Sequence, residues 1–222
     1  MTPKEHHIKS VRTARLYTLG SFEGKGKHLW IATHGYASLA RDFITCFEPI
    51  VDDRTLVVAP EGLSRFYTKG FAGGVGASWM TKEDREFEIY DYVEYLDRIA
   101  EGIIERMEAP PARITAFGFS QGCPTITRWT ALGSVQPDEV VLWCGDTPTD
   151  LDFEGYTEKM KDRTTYLAIG SSDEVIAKPV NDLSIKLIAD KGLATTRFDF
   201  EGGHAIPSAA LVAFKAQLLA KK

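Results

Sequence analysis

The sequence predicts an α/β protein with a largely parallel central sheet and helices on both faces. Three observations predict it. Short apolar runs alternate with amphipathic segments along the 222 residues, the rhythm of strand–helix units. The runs are continuously apolar, as strands covered on both faces are. Each run also ends in Gly, Ser, Asp or His, which gathers polar residues at the carboxyl edge of the sheet, where such folds place their ligands.

The elements follow in order. Residues from about Ile8 to Leu19 alternate more and precede GSFEGKG, which predicts an antiparallel edge hairpin leading into the first buried strand. HLWIATHG (28–35) and TLVVAPEG (55–62) read as buried strands. Residues 62–80, GLSRFYTKGFAGGVGASWM, carry Gly70, Gly73, Gly74 and Gly76 and predict an irregular loop of the kind that often acts as a lid or binding surface. DREFEIYDYVEYLDRIAEGIIERM (84–107) places Phe87, Tyr90, Val93, Leu96, Ile99, Ala100, Ile103, Ile104 and Met107 on one helical face. Thr81 with Asp84 offers a capping-box-like start to that helix, and Pro110-Pro111 stops it.

RITAFGFS (113–120) is the next strand. A helix over CPTITRWTAL follows it, with Pro124 in the first turn and Gly133 as terminator. EVVLWCGD (139–146), TYLAIGSSD (165–173) and TRFDFEGGH (197–204) complete the strands. A helix runs from Pro179 to Gly192, and the last begins near Pro207 and ends in Lys221-Lys222, cations suited to a negative helix end. There are no repeats and no linker-like tract, so residues 1–222 are expected to form one domain.

Composition narrows the class. Hydrophobic content of 44% and charged content of 26% are ordinary for a soluble globular protein. A net charge of −5 without a basic cluster argues against a nucleic-acid partner. No run approaches the ~20 apolar residues of a membrane span, and MTPKEHHIKS lacks the apolar core of a signal peptide. Cys46, Cys123 and Cys144 are odd in number and widely spaced, unlike a disulfide framework or a zinc site. The expectation is a cytoplasmic protein without a metal, its His6 and His7 in a solvated tail.

The motif that carries chemistry is Gly118-Phe119-Ser120-Gln121-Gly122, a G-x-S-x-G between strand and helix. Such a turn sets the serine on a sharp, strained corner, and side chains at its glycines would strike the adjoining strand and helix. A plain Gly/Ser turn is the bland alternative. A serine hydroxyl needs a base. Of five histidines, His204 in EGGHAIP follows the last strand on a loop that can reach the same edge. His34 is better suited to ordering the loop ATHGYAS. The base needs an acid partner. Asp173 in IGSSDEVI follows the penultimate strand and gives the order Ser, Asp, His. Asp146 in WCGDTP is its rival, although a turn or capping role before Pro148 suits it better, and Glu174 should face elsewhere. Backbone N–H groups of Gln121 and Tyr36 would form an oxyanion hole. Cys123 sits too close behind Ser120 to be the nucleophile, and Trp143 and Cys144 should pack beneath the site.

With THGY (33–36), PEG (60–62), GFSQG (118–122), GSSDEVI (170–176) and GGHAIP (202–207) in this order, the chain resembles the α/β-hydrolase superfamily. Within it, the resemblance is to the phospholipase/carboxylesterase family, which includes acyl-protein thioesterases. The resemblance implies the α/β-hydrolase fold without a large cap domain and a triad of Ser120, Asp173 and His204. Tyr36-Ala37-Ser38 replaces the aliphatic, Gly and Asp residues usual after His-Gly in that family, and residues 62–80 also differ. Substrate does not transfer with the resemblance.

In residues 62–80, Phe66, Tyr67, Phe71, Trp79 and Met80 are the candidates for walling an acyl groove, although Trp79 and Met80 would equally pack the following helix into the core. Arg65 and Lys69 could meet an anionic substrate group, but solvated charge suits them better. The expected activity is that of a serine carboxylesterase acting through an acyl-enzyme, with no cofactor. Its partner would be a small-molecule ester or thioester, and a homodimer that shields the apolar loop is compatible with the sequence. The alternatives are an acyl-thioesterase or lysophospholipase with the same triad and, in another class, a hydrolase-shaped ligand-binding protein.

Overall fold

The structure is a computed structural model that describes residues 2–176 and 178–220. Its strands are β1 (Leu16–Leu19), β2 (His28–Thr33), β3 (Thr55–Pro60), β4 (Ser64–Phe71), β5 (Val75–Ser78), β6 (Arg113–Phe119), β7 (Glu139–Trp143), β8 (Thr164–Gly170) and β9 (Ala194–Phe200). The helices are α1 (Ala40–Phe43), continued by a 3₁₀ segment Ile44–Ile50, then α2 (Arg85–Arg106), α3 (Gly122–Leu132), α4 (Phe153–Met160), α5 (Lys178–Ala189) and α6 (Ser208–Ala220). Seven strands form one sheet in the order β1-β3-β2-β6-β7-β8-β9. Only β1 runs antiparallel.

Each buried strand is apolar throughout because its two faces feed two cores. Leu29, Ile31, Leu56, Val58, Ala116, Val140 and Leu142 pack with residues of α2, α3 and α4. Their neighbours Trp30, Ala32, Val57, Ala59, Phe117, Val141 and Trp143 pack with α1, the 3₁₀ segment and α6. Period-two alternation inside an unbroken apolar run is the physical content of a sheet covered on both sides. The strand order reverses between β2 and β6, with Thr33 paired to Gly118 at their carboxyl ends. A crevice opens at such a switch point.

Several expectations need correction. The first strand starts at Leu16 and does not form a hairpin with β2. It pairs with β3, Leu16 opposite Pro60 and Leu19 opposite Val57, because β2 already has β3 and β6 on its two edges. Residues 62–80 are not irregular. β4 and β5 form a two-stranded antiparallel hairpin, tied back to the loop after β2 by the Ser38–Ala77 bridge. Asp84 precedes α2 at φ 49° and makes no side-chain cap. Phe87 and Tyr90 are exposed on the opening turns of α2. The His7 ring stacks on Phe87 at 4.0 Å and Nε2 lies 3.0 Å from the Asp84 carboxylate, so this part of the tail lies along α2. Lys221 and Lys222, expected to close the last helix, lie outside the described residues.

Candidate active site

The corner between β6 and α3 is strained at Ser120, whose φ is +53°. L-residues rarely hold that conformation, and its cost is sustained only where surroundings over-determine it. Here they do. Ser120 N–H donates to Trp143 O at 3.0 Å, and Ser120 O accepts from Cys123 N–H at 2.9 Å. The two motif glycines admit the close approach. A Cβ on Gly118 would stand 2.5 Å from Gly122 O, and one on Gly122 would stand 2.1 Å from Thr33 O. Thr33 Oγ1 donates to Phe117 O and Gly122 O, fastening the end of β2 to both sides of the corner.

His204 lies on the loop between β9 and α6, and its Nδ1 meets both Asp173 oxygens at 3.2 and 3.0 Å. The Asp173 side chain is 3% exposed and that of His204 19%. Burial raises the Asp173 carboxyl. Hydrogen bonds from Ile176 N–H, His204, Val175 N–H and the Cys144 thiol outweigh that and hold it below the usual carboxylate range. A carboxylate so fixed selects the Nδ1–H tautomer and leaves Nε2 as acceptor. His204 makes no hydrogen bond to Ser120 Oγ. The two neighbourhoods meet through Phe119, whose ring lies 5.0 Å from the imidazole. Hydrogen bonds of this kind often tighten only around substrate.

The structure brings Asp173, rather than Asp146, to His204. Asp146 is half-buried beyond β7, and its carboxyl is raised by that burial, with Arg128 acting against it. Glu174 is exposed.

Tyr36 N–H and Gln121 N–H are engaged by no acceptor among the described residues. Tyr36 sits in the loop after β2, and Gln121 stands at the start of α3, where backbone N–H groups and the helix dipole favour negative charge. A Cβ on Gly35 would come 3.2 Å from Ser120 Cβ, so the loop passes directly over the serine. His34 braces it. Nδ1–H donates to Gly35 O at 2.7 Å, Nε2 accepts from Gly62 N–H at 2.9 Å, and burial pushes the imidazole's pKa down. A neutral ring with both nitrogens occupied serves as a strut.

The five candidate groove residues divide. Tyr67 and Phe71 are exposed on the β4–β5 hairpin, and Phe66 stacks on Tyr36 at 5.1 Å, beside the corner. Met80 is half-buried, with Sδ against Arg85 and Arg128. Trp79 is 2% exposed, and its Nε1 donates to His34 O at 2.8 Å. It supports the loop from beneath and offers no open surface. Arg65 lies 3.6 Å from the buried Glu61, which also holds Arg15 and Ala40 N–H.

Three further supports hold these pieces in place, and of them Trp143 alone was expected beneath the site. The Gln121 amide holds Trp79 N–H, Met80 O and Ser78 Oγ, locking the end of β5 to the corner. Trp143 Nε1 donates to Ala205 O at 2.8 Å, anchoring the His204 loop. Gly145 lies against Ser120 O, where a Cβ would come within 2.8 Å. Only Trp143 left a signal, a large amphipathic residue at a strand end. Donor atoms of Cys144, Asp173 and His204 lie within 4.8 Å of one another, close enough to share a metal ion. Burial, then Asp173, pushes the Cys144 thiol up to about 12, so without an ion it stays protonated and donates to the Asp173 carboxylate.

A family model described as "Serine hydrolase (FSH1)" matches residues 72–215, about two thirds of the chain, including Ser120, Asp173 and His204. Among solved structures, the chain is similar to a carboxylesterase from Mesorhizobium loti, with 17% identity over 94% of this chain and 95% of that one, at a TM-score of 0.72. It is similar to acyl-protein thioesterase 2 of Zea mays, with 15% identity over 94% and 99%, at 0.71. A Bacillus cereus carboxylesterase gives 14% identity over 91% and 94%, at 0.67. These likenesses establish the α/β-hydrolase fold without a large cap domain. Comparison with the sequences of curated proteins gave no significant match.

Proposed function

The chain belongs to the FSH1 serine hydrolase family, and from that premise we propose that it is a carboxylesterase acting through an acyl-enzyme on Ser120. One observation carries this reading. His204, fixed by Asp173, sits at the same sheet edge as a serine held at positive φ, beside two unengaged N–H groups. His204 Nε2 takes the Ser120 proton, and Oγ attacks the ester carbonyl. The oxyanion of the tetrahedral intermediate accepts from Tyr36 and Gln121 N–H. The alcohol leaves with the proton from His204, and water then repeats the sequence on the acyl-serine. Phe66, Tyr67, Phe71 and Met80 would carry the acyl portion along the hairpin. Residues 1–222 act as one domain in this reading, and no cofactor enters it.

Fluorophosphonate labelling tests the nucleophile: wild type should label and Ser120→Ala should not. Equal labelling of both would end the proposal. The likeness to the maize acyl-protein thioesterase favours a second reading with a thiol leaving group. Short p-nitrophenyl esters against acyl-thioesters separate the two. A kcat/KM at least about tenfold higher for long acyl-thioesters, ~1.4 kcal/mol of transition-state preference, would replace ester with thioester.

A further inference from the structure

The amino ends of the strands, at the edge remote from Ser120, hold a second cavity. Its volume is about 320 Å³, and its wall includes Lys27, His28, Arg54, Arg113 and Lys215, with Asp52 the one carboxylate lining it among the described residues. His28, Thr55 and Arg113 open β2, β3 and β6. The seven residues of β6 therefore separate this cavity from the serine corner by on the order of 20 Å, at about 3.3 Å per residue.

Two of its cations are already neutralised. Lys215 Nζ donates to Asp52 Oδ2 and Thr55 Oγ1 at 2.7 Å and to Ile50 O at 2.6 Å, and Arg113 Nε faces Glu139 at 2.8 Å. Lys27 and Arg54 have no carboxylate partner among the described residues. Lys27 is 3% exposed, and among the described residues its Nζ donates to Asp53 O alone, at 2.7 Å. A buried ammonium normally has a counter-ion.

His28 adds an independent sign. It is 6% exposed, and Nδ1 is buried without a partner. Its tautomer follows from the neighbours. Glu139 accepts from the Thr115 hydroxyl, so Thr115 Oγ1 can only accept from His28 Nε2–H, at 2.7 Å. Nδ1 of the neutral ring is therefore an unmet acceptor. A phosphate monoester can meet it: Nδ1 is enclosed, so the ring must first turn toward the cavity it lines, and P–OH then donates to the neutral ring. A carboxylate at neutral pH lacks that donor and presents two oxygens where Lys27, Arg54, Arg113 and His28 could engage three or more.

An adjoining cavity of about 290 Å³ shares Asp52, Lys215 and Leu219 and adds Ile50, Val51, Val212 and Ala216. That wall is apolar and suits an alkyl substituent. We infer that this edge binds a small phosphate monoester, its head held by Lys27, Arg54 and His28 and its organic group lying against the α6–3₁₀ groove.

Calorimetric titration with butyl phosphate tests the inference on wild type, Arg54→Ala, Lys27→Met and Ser120→Ala. Saturable one-to-one binding is expected in wild type and equally in Ser120→Ala. Arg54→Ala, which alters an exposed side chain and should leave ester hydrolysis unchanged, should weaken binding about tenfold, as should Lys27→Met. Absence of saturation, loss of binding in Ser120→Ala, or affinity unmoved by both cation variants would overturn the site. Inorganic phosphate binding as tightly as butyl phosphate would overturn its assignment to an ester.

Discussion

Gly122→Ala should disable the serine corner through one methyl group. The added carbon would stand 2.1 Å from Thr33 O, and an ordinary contact begins near 3.4 Å, so β2 and α3 must part by about 1.3 Å. Neither yields easily. Thr33 is paired with Gly118 in the sheet, and its hydroxyl is bound to Gly122 O. Overpacking of this kind costs about 1–3 kcal/mol, or ~2–12 °C in Tm for a chain this long. The same shift moves Gln121 N–H and Ser120 Oγ against the loop after β2. Misplacement by 1 Å at a reacting centre can cost ~10²-fold in rate. The assay pairs thermal unfolding with kcat/KM for p-nitrophenyl butyrate, and Gly102→Ala is its control. Gly102 lies inside α2 with nothing within 4 Å of its Cβ position, so alanine should stabilise by about 0.5–1 kcal/mol and leave activity alone. Gly122→Ala with wild-type activity and stability would refute the reasoning.

Further outcomes follow from the same contacts. Asp173→Asn should lower kcat by ~10³–10⁴ with KM little changed, because the amide no longer enforces the Nδ1–H tautomer; a loss confined to KM would contradict that role. Trp143→Phe removes the donor to Ala205 O and should reduce kcat about tenfold by loosening the His204 loop, read from steady-state kinetics. Asp52 has its carboxyl lowered to about 2. Burial acts upward and is outweighed by Lys215, Thr55 and Arg54 N–H. A depressed folded value stabilises above the unfolded pKa of about 4, and that stability is lost as pH falls toward 2. Urea unfolding should therefore show Asp52→Asn destabilised by about 1 kcal/mol, since the Asp52 carboxylate is exposed and screened although Lys215 is buried. That gap should stay constant from pH 7 to 5 and narrow below 4, whereas a gap that widened would be the wrong sign. Native protein should react with a thiol reagent at no cysteine but the half-buried Cys46, since Cys123 and Cys144 are buried with thiols pushed well up; Cys46→Ser should then abolish labelling.

The parts legible in the sequence were those with a local steric or periodic cause. Continuous apolarity marked β2, β3, β6, β7 and β8, because each had to satisfy two cores, whereas the edge strand β9 reads ATTRFDF and is exposed or half-buried in all but Phe200. The glycines of GFSQG marked the corner, because only hydrogen fits against Thr33 O and Gly122 O. The partner of β1 was not legible. Proximity in sequence suggested β2, and only the tertiary order, with β2 central, sends it to β3. The β4–β5 hairpin was hidden by its glycines: Gly70, at φ +55° near the end of β4, accepts from Gly73 N–H to close the turn, while Gly76 allows the strand to press on Ala37 O. Trp79 read equally as groove wall or as core, and its burial and indole N–H bond to His34 O decide for the core. Struts such as the Gln121 amide act between segments distant in sequence, and no spacing rule announces them.

The central claim is that residue 120 carries the acyl group between the two half-reactions. Rapid acid quench of turnover on p-nitrophenyl butyrate, followed by mass spectrometry of the peptide containing that residue, tests it most directly. The account predicts a butyryl adduct on Ser120, formed far more slowly in His204→Gln and absent in Ser120→Ala. Undiminished hydrolysis by Ser120→Ala, or an adduct carried on another side chain, would contradict it.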